Sequence, residues 1–209
     1  MGVVSKALLA AENGLFSSAR QNAPARLDGP DLTPRAIGVI RPAPPFFEGS
    51  STMSMATRAT SALERAGIAF TVHRYAYDPG ADRIGMQAAE ALGEAPARVL
   101  KTLMTRVDGR PAVAIVPSDH EVSMKKLAAA LGGKAAEMMA PADAERLSGY
   151  KVGGISPFGQ RRALPVAIEE QTLAHPLVYL NGGQRGLQVR LDPRAAAAFL
   201  KAVAAPLVA

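Results

Sequence analysis

Between Gly149 and Gln160 the chain reads Gly-Tyr-Lys-Val-Gly-Gly-Ile-Ser-Pro-Phe-Gly-Gln, and the basic pair Arg161-Arg162 follows. Four glycines and one proline fall within eleven residues there and interrupt an apolar run. Glycine lets a backbone turn sharply or lets another group come close to it. Pro157 forces Ser156 into an extended rather than a helical conformation. The stretch therefore predicts a strand that breaks into a rigid loop with bare amides. Such N–H groups, with no side chain above them, can reach a ligand oxygen. The same residues would also make an ordinary Gly-Pro surface turn, and the stretch by itself leaves both readings open.

The remaining pattern sets the fold class. Residues 1–52 carry six of the sixteen prolines and no sustained period, which reads as a disordered or loosely attached extension. A translation start assigned too far upstream of Met53 and Met55 would give the same pattern. The ordered domain is expected over 53–209. Thr57–Ala66 predicts a helix with Ala59, Ala62, Leu63 and Ala66 on one face. Ile68–Tyr75 alternates, with Ile68, Phe70 and Val72 inward and His73 and Tyr75 on the polar face. Ile84–Leu92 is helical, and Pro96 opens a short turn. Val99–Arg106 and Ala112–Val116 are strands joined at Asp108-Gly109, a strong hairpin signal.

Further on, Ser123 caps a helix to Leu131, Ala135–Met139 is a short strand, and Pro141 starts a helix to about Leu147. Leu164–Ile168, Leu177–Leu180 and Leu187–Leu191 are strands, and a last helix runs from Pro193 to about Ala204. Scattered short helices and tightly connected strands give an α+β protein with a mixed sheet rather than a βαβ repeat.

Composition narrows the chemistry. The chain has no cysteine, which excludes disulfides, a thiolate nucleophile and Cys-ligated zinc. A formal charge of +6 favours a polyanionic partner. No apolar run approaches the roughly 18–20 residues of a membrane span, and the run Ala7–Ala11 is too short for the core of a secretory signal. His73, His120 and His175 lack metal-ligand spacing, and there is no P-loop, G-x-G-x-x-G or G-x-S-x-G setting. Lys101, in a strand among apolar residues, reads either as an edge residue reaching water or as a cation in a cleft. Tyr75 offers a hydroxyl and a flat face, and Asn181-Gly182-Gly183 is either a hairpin turn or a second bare-backbone loop.

Three blocks carry a resemblance: Ala95-Pro96-Ala97-Arg98-Val99-Leu100-Lys101-Thr102-Leu103, the stretch from Gly149 to Gln160, and Gly182-Gly183-Gln184-Arg185-Gly186-Leu187. In this order, across about Thr57–Ala204, they resemble the YbaK/EbsC family, akin to the editing insertion of bacterial prolyl-tRNA synthetases. The middle block is similar to the branch that deacylates Cys-tRNA(Pro). The resemblance implies a curved, barrel-like mixed sheet flanked by short helices. It implies hydrolysis of the ester at the 3′ end of a mischarged tRNA, with no metal and no cofactor, the substrate's own thiol attacking its carbonyl.

It also implies roles. Lys101 would hold the terminal adenosine and the reacting group. Gly153, with Gly154 and the following amides, would meet the carbonyl oxygen. Tyr75, Thr102, Ile155, Ser156, Pro157, Asn181, Gly182 and Gly183 would bind substrate. Charged tRNA is then the partner, with prolyl-tRNA synthetase a second one, in the cytoplasm and away from membranes. The family commonly has Ser at the position of Asn181 and His-Asp-Pro at Tyr77-Asp78-Pro79, so Asn181 is expected to bear on amino-acid selectivity. A deacylase for Ala- or Ser-charged tRNA, and a non-catalytic tRNA- or synthetase-binding module, are the alternatives.

Overall fold

A computed structural model describes residues 56–80 and 84–209. The expectations for residues 1–52 therefore lie outside the described residues. Helix α1 (Arg58–Arg65) starts where Thr57 closes a capping box with Thr60: the Thr57 hydroxyl accepts from the Thr60 amide, and the Thr60 hydroxyl accepts from the Thr57 amide. Ala59, Ala62 and Leu63 are buried as expected, whereas Ala66 caps the helix and is exposed.

The strands form two sheets rather than one closed barrel. The larger has the order β4 (Ala136–Met138), β2 (Leu100–Val107), β3 (Arg110–Pro117), β5 (Val166–Glu169) and β8 (Val203–Ala205). Its spine is the β2–β3 hairpin, in full register from Leu100↔Pro117 to Val107↔Arg110. Asp108 and Gly109 both turn with positive φ, the geometry a two-residue hairpin requires. β5 and β8 add in parallel. The smaller sheet is antiparallel, in the order β1 (Phe70–Arg74), β7 (Leu187–Leu191) and β6 (Val178–Asn181). A parallel bridge between Val99 and Tyr179 joins the start of β2 to β6. Helices α2 (Ile84–Leu92), α3 (Met124–Ala130), α4 (Pro141–Ser148) and α5 (Pro193–Leu200) complete the α+β arrangement.

Three expectations are corrected. Residues 149–162 contain no strand: Gly149 ends α4 in the left-handed region and the chain stays irregular until β5. The last helix stops at Leu200, because Lys201 turns left-handed and sends the chain into β8, which periodicity had merged with the helix. Val72 is 41 % exposed. The main core reaches Ile68 and Phe70 but stops short of it, and it is His73 that packs edge-on against Tyr179. Residual desolvation there, with Arg190 nearby, lowers the His73 pKa.

The main core gathers Leu63, Ile115, Ile168, Leu180 and Leu191 around Phe158, which is fully buried in the glycine-rich loop. The C-terminal segment is tied down by one carboxylate. Glu169 is 1 % exposed, and its Oε2 accepts from the amides of Leu207 (2.6 Å) and Val208 (3.0 Å). Charge-assisted bonds of this length are strong, and their loss would strand two amides. Glu169→Ala is expected to lower the unfolding free energy by about 2 kcal/mol or more. Urea unfolding measures this, with Glu169→Gln, which keeps one acceptor, falling between the two.

Candidate active site

A cavity of about 440 Å³ opens at the start of β2, where the two sheets meet. One wall is β2 itself, with Val99, Leu100, Lys101, Thr102 and Leu103; another is the glycine-rich loop, with Val152, Gly153 and Ile155. Asn181 and Gln188, which pair across β6–β7, close the third side together with Tyr75. Segment 118–121, leaving β3, forms the mouth. Lys101 pairs with Val116 in the hairpin, and its ammonium lies 3.4 Å from the Ser118 carbonyl. Ser118 is itself fixed, its hydroxyl and amide both donating to the Val99 carbonyl.

Three polar atoms of residues lining this cavity are buried without a hydrogen-bond partner among the described residues: Tyr75 Oη, Thr102 Oγ1 and Gln188 Oε1. The Tyr75 hydroxyl faces the Gln188 amide without reaching hydrogen-bond geometry. Desolvation raises the Tyr75 pKa, so the phenol keeps its proton and remains a donor. Leaving a buried polar atom unsatisfied costs about 1–3 kcal/mol. Three of them around one cavity mark a surface shaped for a polar ligand.

The glycine-rich loop is held rigidly. Tyr150 Oη donates to the Phe158 carbonyl at 2.7 Å, Ser156 Oγ accepts from the Phe158 amide, and Glu145 accepts from the Val152 amide. Asn181 then clasps the two loops: its Nδ2 donates to Gly153 O (3.2 Å) while its Oδ1 accepts from Gly183 N (2.8 Å). At Gly154 the chains touch backbone to backbone, and a Cβ there would lie 2.8 Å from Arg185 N. The Gly154 amide is taken up by Lys151 O, whereas those of Gly153 and Ile155 donate to no acceptor among the described residues. Both residues line the cavity, Gly153 with φ +84°.

Of the expected site residues, Lys101, Gly153, Tyr75, Thr102, Ile155 and Asn181 converge on the cavity. Gly154, Ser156, Pro157, Gly182 and Gly183 do not line it. Ser156 and Pro157 are buried beneath the loop, Gly182 accepts the Thr57 hydroxyl and donates to Leu187 O, and Gly154 and Gly183 border a separate depression behind the turn. Sequence reasoning missed Gln188, Ser118 and the adjacent pair Asp119–His120, whose Oδ1 and Nδ1 lie 2.7 Å apart at the mouth. Gln188 left no signal of its own: in Leu-Gln-Val-Arg-Leu it alternates with the apolar residues and shares its face with Arg190, yet packing leaves it only 4 % exposed. Among the described residues, no group of three or more His, Asp or Glu side chains is placed to hold a metal ion.

The family model described as "Aminoacyl-tRNA editing domain" matches residues 78–199, a span that contains Lys101, Gly153, Asn181 and Gln188. EbsC of Enterococcus faecalis, whose name assigns it as a Cys-tRNA(Pro)/Cys-tRNA(Cys) deacylase, is 33% identical over 141 residues, 66% of this chain and 85% of that protein. A proline–tRNA ligase of Geobacillus thermodenitrificans is 30% identical over 88 residues, 42% of this chain but 16% of the ligase. A solved structure described as a trans-editing enzyme for prolyl tRNA synthetase superposes with a TM-score of 0.64 at 25% identity, covering 73% of this chain and 95% of its own. With the family model, the relative and the fold in agreement, the chain belongs to the aminoacyl-tRNA editing domain family.

Proposed function

We propose that the chain clears Cys-tRNA(Pro), cleaving the ester between cysteine and the 3′-terminal ribose. Family membership makes it an aminoacyl-tRNA deacylase. The finer reading is supported by the similarity to EbsC and by one feature of the site: Lys101 and the bare amides of Gly153 and Ile155 border the same cavity. A cation and two amides are donors suited to an oxygen that gains negative charge as a carbonyl is attacked.

The nucleophile in this reading is the substrate's thiol sulfur. It bonds to the carbonyl carbon, the carbon–oxygen bond to the ribose breaks, the thiol proton passes to the ribose oxygen, and a thiolactone leaves. An intramolecular attack gains on the order of 7 kcal/mol or more from proximity in good geometry, so the protein must chiefly bind, orient and stabilise charge. Tyr75, Thr102 and Gln188 supply the polar contacts that hold the aminoacyl-adenosine. Such clearance corrects a synthetase whose small pocket discriminates by only about 1–3 kcal/mol. Prolyl-tRNA synthetase is the natural partner, and its own insertion resembles this chain. No described helix is long and apolar enough to cross a membrane, and the cytoplasm, where tRNA is charged, is the proposed location.

One observation favours a second reading, a deacylase for Ala- or Ser-charged tRNA. Asp119 Oδ1 lies 2.7 Å from His120 Nδ1 and both residues line the cavity; in the tautomer in which Nδ1 donates to that carboxylate, Nε2 is an acceptor for a proton from an attacking water.

Lys101→Ala is expected to lower kcat/KM for Cys-tRNA(Pro) by about 100-fold or more, with an unchanged melting temperature. Unchanged turnover would remove Lys101 from the site. Hydrolysis of Cys-tRNA(Pro) should exceed that of Ala-tRNA(Pro) and Ser-tRNA(Pro) by a wide margin, since neither alanine nor serine carries a thiol. Equal rates on all three, with loss of rate in His120→Ala, would move the assignment to the water-based reading. Gln188→Leu is expected to raise KM about ten-fold or more, because it removes a buried acceptor facing the ligand.

A further inference from the structure

A smaller depression of about 220 Å³ adjoins the cavity, and the two share Tyr75 as a wall. Its distinctive residues are Arg74 at the end of β1, Tyr77 just beyond it, and Arg185 in the β6–β7 hairpin. The hairpin closes directly onto the chain leaving β1. The Tyr75 amide donates to Gly186 O at 3.0 Å, and a Cβ on Gly186 would lie 2.8 Å from Tyr75 O. Arg185 is held in place, its Nε donating to Val152 O at 2.8 Å and its guanidinium carbon standing 5.4 Å from the centre of the Tyr77 ring. Val152 belongs to the wall of the larger cavity, so Arg185 is anchored to one site while it lines the other. Among the described residues neither Arg74 nor Arg185 makes an ion pair, and the Tyr77 ring is half-exposed.

An aromatic ring with one guanidinium beside it and a second arginine on the same depression suits one unit of single-stranded nucleic acid: the base stacks and the phosphate meets the cations. Arginines alone would take any anion. The ring and the shared Tyr75 wall narrow the ligand to something continuous with the occupant of the larger cavity. We propose that this depression binds the nucleotide preceding the 3′-terminal adenosine, its base on Tyr77 and its phosphate at Arg74 and Arg185. The inference rests on the proposed deacylation in the neighbouring cavity. It places the aminoacyl-adenosine on one side of Tyr75 and the rest of the acceptor strand on the other. Stacking tolerates any base, so the subsite adds affinity and alignment rather than sequence selection.

The test compares kcat/KM on two synthetic esters, cysteinyl-adenosine and the cysteinyl ester of the dinucleotide cytidylyl-adenosine, with full-length Cys-tRNA(Pro) as reference. The wild-type chain should prefer the dinucleotide ester by about ten-fold. That preference should collapse in Tyr77→Ala and persist in Tyr77→Phe, which keeps the stacking face. Arg74→Gln, on an exposed strand position, should shrink the preference and flatten its salt dependence. Equal wild-type rates on the two esters, or a Tyr77→Ala loss that is the same on both, would overturn the subsite while leaving the deacylase reading intact. Failure to cleave either ester or the charged tRNA would overturn both.

Discussion

The side-chain amide of Asn181 joins the two loops on one side of the cavity. It donates a hydrogen bond to the Gly153 carbonyl and accepts one from the Gly183 amide, so both loops are fixed by a single residue that is itself 7 % exposed. The clasp works because the loops are bare: at Gly154 backbone meets backbone at a distance no side chain would allow. Holding the Gly153 carbonyl fixes the peptide plane that carries the Gly154 amide, and Arg185, donating to the Val152 carbonyl, fixes the plane that carries the free Gly153 amide. Preorganised donors of this kind stabilise developing charge without having to reorient during the reaction. Both ends of the Asn181 amide are thus engaged within the chain. Gln188, its cross-strand neighbour, has the uncommitted oxygen.

The opposite wall is rigid for a different reason. Lys101 and Thr102 belong to the long β2–β3 hairpin, paired over eight residues on each strand, so their backbone positions are set by a continuous ladder. The cavity therefore lies between a strand that cannot slip and a loop that cannot open without breaking the Asn181 clasp. Tyr75 stands at the one side where β1 ends and the chain becomes irregular, and there the cavity continues into the arginine-lined depression. An acceptor strand threading past Tyr75 would meet Arg74 and Arg185 outside, and inside Lys101 together with the uncharged polar groups of Tyr75, Thr102 and Gln188.

Much of this was legible in the residues. The cap at Ser123, the helix start at Pro141 and the Asp108-Gly109 turn depend on neighbours in sequence, and local stereochemistry fixes them. The three-block resemblance drew attention to Lys101 and Gly153, which lie within contiguous blocks, and to Asn181 just before the third, and all three line the cavity. Elements decided by distant partners were misread. The pull of Glu169 and β5 on the C-terminal segment made β8 out of residues that periodicity had assigned to a helix. The core, ending before Val72, turned an apparently inward residue outward.

Short-range spacing specified the α+β class and the hairpin spine, the three blocks carried the resemblance to the family, and the glycine-rich stretch left loop and surface turn open. Packing settled which loop amides are free, kept Ser156, Pro157, Gly182 and Gly183 off the cavity wall, and brought Gln188 to Tyr75 and Thr102 around one cavity. Hydrogen-bond partners and shared walls arise from chain segments far apart in sequence. Which donors remain unspent is settled only when those segments pack together.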